Sequence, residues 1–323
     1  WNHLVWGIEV HCPDEYLSDM DKDKVFLIAS SYQDEMIEQI ESYGYDKDTN
    51  IVKVIDLPAI MNDYSFMDRT GYLELTDNEI KKSQLNVLCH LRDICKENNL
   101  RYYLCGGTLL GSVRHKGYIP WDDDIDVVMP ANDIIKLVKI VKEDKEFGIA
   151  SCFEDMKEFK NIDYYDECTM MYDKSNICDV NHFPMQMTMG MWIDIFPFFG
   201  VPVEKNELEK YIENAKRLEA YKWNNIYSDN KCQKALKEQI EYLMSYNYNS
   251  CKNIGFILGR YFRKDIFPRT YFDKTVKMIF EGEYFDAPVE WKKYLSGIYG
   301  NYMQLPPKEQ QVGHHYFKAY HRP

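Results

Sequence analysis

The chain lacks any C-x-x-C pair, and its nine cysteines are an odd number scattered from Cys12 to Cys251. That excludes the common zinc-site spacing and speaks against a disulfide framework. Reduced thiols in a cytosolic protein are the expectation. Positive charge is short as well: 39 Lys and Arg face 52 Asp and Glu, for a formal net charge of −13. A nucleic-acid backbone is therefore not an expected partner. No apolar run reaches the roughly 18 to 20 residues of a membrane span. The most apolar stretch, Met189 to Phe199, is short and contains Asp194. There is no visible signal peptide, no internal repeat, no low-complexity tract and no G-x-G-x-x-G. The first residue is Trp1 rather than Met, as expected of a trimmed or partial chain.

What is present allows two domains in 323 residues, with 45% hydrophobic and 15% aromatic content to build a core. Residues 1–60 read as a small, partial Rossmann-like α/β piece. Lys24 to Ser30 is a short strand, Tyr32 to Tyr43 has helical spacing and stops at Gly44, and Ile51 to Ile55 is a second strand. That order predicts a parallel pair with helix cover. Residues 61–75 read as a connector and 76–323 as the main domain. Thr76-Asp77-Asn78-Glu79 has the form of a capping box, so a helix should run from there to about Asn98-Asn99. Next come a strand (Leu100 to Cys105), a Gly106-Gly107 turn, a short helix (Thr108 to Arg114) and a loop (Lys116 to Pro120). An acidic strand, a helix over Ala131 to Lys142 and a strand over Met191 to Phe196 follow. Residues 205–280 read as mostly helical. The expected fold class is α/β (α+β), with a mixed sheet core and an added helical region.

The acidic strand, Trp121-Asp122-Asp123-Asp124-Ile125-Asp126-Val127-Val128, carries the chemistry. Alternate residues of a strand share a face, which would align Asp122, Asp124 and Asp126 and turn Asp123 away. Like charges held so close repel unless a cation sits among them, and oxygen-only ligands point to Mg²⁺ or Mn²⁺. An EF-hand loop fits less well, because Val127 stands where its Gly would be and Asp133 where its Glu would be. Gly106 and Gly107 would let backbone approach a phosphate at a helix start, with Thr108 adding a hydroxyl. Asp194, a carboxylate amid apolar strand residues, needs a cation or donor if buried. It would be a third metal ligand or a base. Arg114 and Lys116, between the glycines and the acids, suit a donor phosphate. His314-His315 read as structural or acceptor-side, and the alternating Met185, Met187, Met189 and Met191 as core.

The continuous text from Gly106 through Val127 resembles the signature of the LicD family, within the nucleotidyltransferase superfamily. The strand with Asp194 before Phe196-Pro197 and the tail from Tyr299 through Glu309, with His314-His315 after it, match as well. The resemblance covers about residues 75–323 and not residues 1–60. It implies a nucleotidyltransferase-like LicD catalytic domain, with Asp124, Asp126 and Asp194 catalytic and Asp122 an additional metal ligand. It also implies transfer of phosphocholine or a related phospho-group from a CDP-linked donor such as CDP-choline. The acceptor would be a glycan or lipid-linked glycan, such as teichoic acid or lipopolysaccharide. Fukutin-type relatives move ribitol phosphate instead. The expected place is the cytoplasm, at the inner face of the membrane or in peripheral contact with it. Rival readings are a nucleotidyltransferase moving NMP itself, a glycosyltransferase with an Asp-x-Asp site, and a non-catalytic metal- or glycan-binding protein.

Overall fold

The computed structural model describes residues 3–5, 8–10, 17, 23–28, 33–53, 67–153, 168–182, 185–223, 229–258, 262–308, 311 and 317–323. His314 and His315 lie outside the described residues, as does the end of the expected strand beyond Lys53. By their contacts the residues fall into two units, Trp1–Asp68 with Asn181–Gln186, and Arg69–Val180 with Met187–Pro323. In the first unit, strands Phe26–Ile28 and Ile51–Lys53 pair in parallel. The helix Gln33–Ser42 runs between them in sequence. Gly44, at φ 90°, takes the left-handed turn after it, which glycine allows at little steric cost.

The second unit begins with helix α1 (Asp77–Asn98). Its capping box forms as the sequence predicts: Thr76 Oγ1 accepts from Glu79 N, and the Glu79 carboxylate accepts from Thr76 N at 2.9 Å. The helix ends at Asn99, which is left-handed with φ 53°. Strand β1 (Tyr103–Leu104), helix α2 (Gly106–Arg114), strand β2 (Asp126–Pro130) and helix α3 (Ala131–Val141) follow. Strands β3 (Phe147–Ala150) and β4 (Thr169–Asp173) lead to β5 (Asn176–His182) and β6 (Met185–Met189). The central strand is β7 (Trp192–Val201). It pairs in parallel with β2 on one edge and antiparallel with β4 on the other, while β1 lies antiparallel to β2. Nine of its ten residues are buried. That fits a strand covered on both faces, where a continuous apolar run replaces alternation.

Beyond β7 the sequence reading needs correction. Helices α4 (Lys205–Trp223) and α5 (Asp229–Leu243) are present, but the expected helical region up to residue 280 is not. Strands β8 (Asn253–Gly255), β9 (Ile266–Pro268) and β10 (Thr275–Phe280) occupy its last third. The pair Glu281-Gly282, both with positive φ, turns β10 into β11 (Glu283–Pro288). This is the two-residue hairpin geometry whose twist suits antiparallel strands. The Lys- and Glu-rich composition reads as helix, while the turn residues and the alternating burial of β10 decide for strand. Helix α6 (Trp291–Tyr299) and strand β12 (Phe317–His321), paired with β5, complete the unit.

One ion pair holds the start of this unit. Asp179, 1% exposed, receives Arg69 Nε at 2.8 Å, Arg69 Nη2 at 2.7 Å and Thr188 Oγ1 at 2.6 Å. Removing the guanidinium leaves a buried carboxylate without its counter-charge. Arg69→Leu is expected to lower unfolding free energy by about 3 to 5 kcal/mol, measured by urea denaturation. A loss below about 1 kcal/mol would show that the pair is dispensable.

Candidate active site

Three elements converge on one place: the start of α2, the loop entering β2, and the first turn of β7. Parallel pairing sets Asp194 opposite Asp126. In an aligned parallel pair both side chains leave the same face, with strands roughly 4.8 Å apart. These two acids, far apart in sequence, are thus direct neighbours. Asp194 is 8% exposed, and its Oδ1 receives the indole N–H of Trp192 at 3.2 Å and the Cys168 thiol at 3.6 Å.

The glycine pair leans on the same acids. A Cβ on Gly106, whose φ is +50°, would lie 2.8 Å from Asp126 Oδ2, and one on Gly107 would lie 2.5 Å from Asp122 Oδ2. Glycine is therefore required here by close approach, at the helix start that the sequence pointed to. Cys105, the cap residue of α2, supplies no side-chain bond to its N–H groups; Gly106 N–H donates to Tyr294 Oη at 3.3 Å. Burial pushes the Cys105 thiol pKa well up, and the charges of Asp126, Asp265, Asp124 and Asp194 push it further. The chain thus gathers its acids around this buried thiol. Asp265 joins them from the short turn before β9, and no motif in the sequence marks it.

The acidic segment differs from the expected strand. Pairing starts only at Asp126, and residues 122–125 are irregular, held by a turn from Asp122 N to Ile119 O. Strict alternation does not apply there. Ligand oxygens of Asp122, Asp123 and Asp124 lie within 4.8 Å of one another, so Asp123, expected on the opposite face, belongs to the group. Asp126 and Asp194 are not in that group; the glycine contacts place Asp126 one residue along the helix start from Asp122, and the strand register places Asp194 opposite Asp126. An all-carboxylate cluster suits a hard cation of the Mg²⁺ or Mn²⁺ type. Among the described residues, this is the group able to hold a metal ion.

The remaining predicted residues take distinct places. Thr108 is buried, and its hydroxyl oxygen accepts the N–H of Asp126 at 2.8 Å, locking helix start to strand start. Arg114 donates from Nη1 to the carbonyl of Tyr302 at 3.2 Å. Burial draws its pKa down, against the opposing effect of Tyr299 and Asp122. Lys116, exposed and with φ 65°, turns its ammonium back to the Val113 carbonyl at 3.4 Å. The loop between them is fastened by the hairpin tip: Glu281 N donates to Lys116 O at 2.9 Å, and Glu281 Oε1 receives Tyr118 N–H at 3.0 Å.

A cavity of about 530 Å³ opens between Gly107, Arg114, Trp121 and Asp122 on one side and the segment from Tyr299 to Pro307 on the other. Its size is that of small-molecule sites, and Lys116 is not in its lining. The tail residues Tyr299 and Tyr302 were not singled out as site residues from sequence. The one signal was their place in the tail motif. Among the described residues, no helix is long and apolar enough to cross a membrane.

Comparison with known proteins follows the same residues. The family described as LicD/FKTN/FKRP, nucleotidyltransferase domain, matches residues 99–216. A protein named lipopolysaccharide cholinephosphotransferase LicD, from Haemophilus influenzae, is 30% identical over 270 residues, spanning 76% of this chain and 98% of that protein. An uncharacterised protein of Rickettsia prowazekii is 32% identical over 100 residues, covering 28% of this chain and 38% of its own length. One of Rickettsia typhi is 27% identical over 107 residues, covering 30% and 35% respectively.

Proposed function

The chain belongs to the LicD family, and from that premise we propose that it is a phosphotransferase moving phosphocholine from CDP-choline to a sugar hydroxyl of a cell-surface glycan. The observation that carries this reading is the Asp126–Asp194 neighbourhood, set against Gly106-Gly107, with Gly107 and Asp122 in the lining of the cavity. The Haemophilus relative's name specifies both phosphocholine and lipopolysaccharide, and lipopolysaccharide is the first acceptor to test, with teichoic acid the second. The reaction belongs on the cytoplasmic side, where CDP-linked donors are made.

In this reading the acceptor oxygen attacks the choline-bearing phosphorus. A new P–O bond forms, the bond to CMP breaks, and CMP leaves with the electron pair. Such transfer is governed by positioning and charge. The helix start receives phosphate oxygens at Gly107 with the positive end of its dipole, the Gly106 N–H being engaged by Tyr294 Oη. Asp122, Asp124, Asp126 and Asp194 would hold Mg²⁺ or Mn²⁺, which when bound neutralises charge on the pyrophosphate. Trp192 and Cys168 fix Oδ1 of Asp194, and the strand register sets this residue opposite Asp126. Asp194 is also the group placed to take the acceptor proton. Arg114 holds the cavity's far wall and sets a positive charge beside the donor phosphates.

The test is CMP release from CDP-choline with Mg²⁺ and a lipid-linked glycan. CMP with phosphocholine on the glycan is the expected result. Pyrophosphate from CTP, with no CMP from CDP-choline, would replace this reading by nucleotidyl transfer. Asp124→Ala should abolish the release, and full turnover in that variant would sink the site assignment.

A further inference from the structure

The glycines and acids account for a phosphate, but not for the wall that faces them. Three half-buried aromatic rings line the cavity, Tyr299 and Tyr302 on the far side and Trp121 beside Asp122 on the near side. We propose that these rings form the seat of a quaternary ammonium group, so that Trp121, Tyr299 and Tyr302 decide which head group is transferred. This deepens the phosphocholine reading and rests on the cavity being the donor's.

A trimethylammonium group has no N–H to donate. It cannot be held by hydrogen bonds and is recognised by the negative faces of aromatic rings, best by Trp. Asp122, in the same lining, would serve the metal rather than the ammonium. A nucleobase would instead need polar groups to read its edge. The two amides in the lining, Asn301 and Gln304, are exposed, and Asn301 Nδ2 donates to Gln304 Oε1 at 3.4 Å, so the half-buried part of the lining is left to the rings. The rings reach the cavity from two directions: Trp121 from the loop before β2, Tyr299 and Tyr302 from the end of α6 and the turn beyond it. Arg114 joins these two sides through the Tyr302 carbonyl, so a side-chain change at Tyr302 leaves the tie in place.

The experiment compares phosphocholine with 3,3-dimethylbutyl phosphate, in which carbon replaces the ammonium nitrogen and shape is kept. Binding of each to the full chain is measured by titration calorimetry with Mg²⁺ present. Phosphocholine is expected to bind at least about tenfold tighter, and Tyr302→Leu and Trp121→Leu should each bring the two affinities toward equality. CMP, titrated alongside, should lose little in either variant. A wild-type ratio near one overturns the proposal without any variant having to fold. So does a ratio unchanged in both variants, or a loss of CMP binding equal to that of phosphocholine. A chain with the preference but no CMP release keeps this proposal and loses the transfer reading; release with a ratio near one does the reverse.

Discussion

Asp194→Asn is expected to lower the rate of CMP release on the order of a thousandfold while leaving thermal stability close to wild type. The amide keeps the shape of the carboxylate and can still accept the Trp192 N–H. What it loses is the charge beside Asp126 and the ability to take a proton. Structural and chemical roles therefore separate: single-turnover rate falls, while the melting temperature and donor binding without metal stay. A variant that lost its fold would show that the buried acid is there for stability. A variant with full rate would remove Asp194 from the site.

The second large effect belongs to the glycine pair. In Gly107→Ala the new Cβ falls 2.5 Å from Asp122 Oδ2. The carboxylate is the end of a flexible side chain on an irregular loop, so the clash resolves by moving Asp122 out of place. The expected outcome is a loss of about a hundredfold in kcat/KM for the donor, with less than about 1 kcal/mol of stability lost. Gly106→Ala is different in kind. Its φ of +50° is reached by an L-residue only with strain, and roughly 1 kcal/mol of additional destabilisation should accompany the lost activity. Denaturant melts beside steady-state rates tell the two apart. Equal stability losses would show that backbone conformation, rather than the carboxylate contact, sets the requirement for glycine.

These residues also show how far the chain could be read without coordinates. Thr76 and Glu79 announced their helix because a capping box is local: four residues contain both partners. Gly106-Gly107 and the acids were legible for the same reason, being one continuous stretch. The facing of Asp123 was misjudged because alternation holds only inside a paired strand, and pairing begins at Asp126. The β10–β11 hairpin was missed because charged composition outweighed the Glu281-Gly282 turn. The far wall of the cavity depends on a tail nearly 200 residues beyond the glycines, and no local pattern reports such a contact. The Asp126–Asp194 register is of the same kind. Two isolated acidic strands give no sign of which residues will align.

That register has a consequence for how the protein comes into being. A parallel pair cannot close through a hairpin; it needs a crossover, and here α3 and four strands intervene between β2 and β7. Contacts separated by so much chain carry a large loop-closure cost and form slowly. During synthesis the acidic loop emerges well before its partner strand, as a stretch of unneutralised negative charge with little tendency to collapse. Divalent-cation capture and assembly of the central sheet should therefore occur together. Refolding followed by intrinsic fluorescence should accelerate with Mg²⁺ if closure of this pair limits the rate, and remain unchanged if the slow step lies elsewhere.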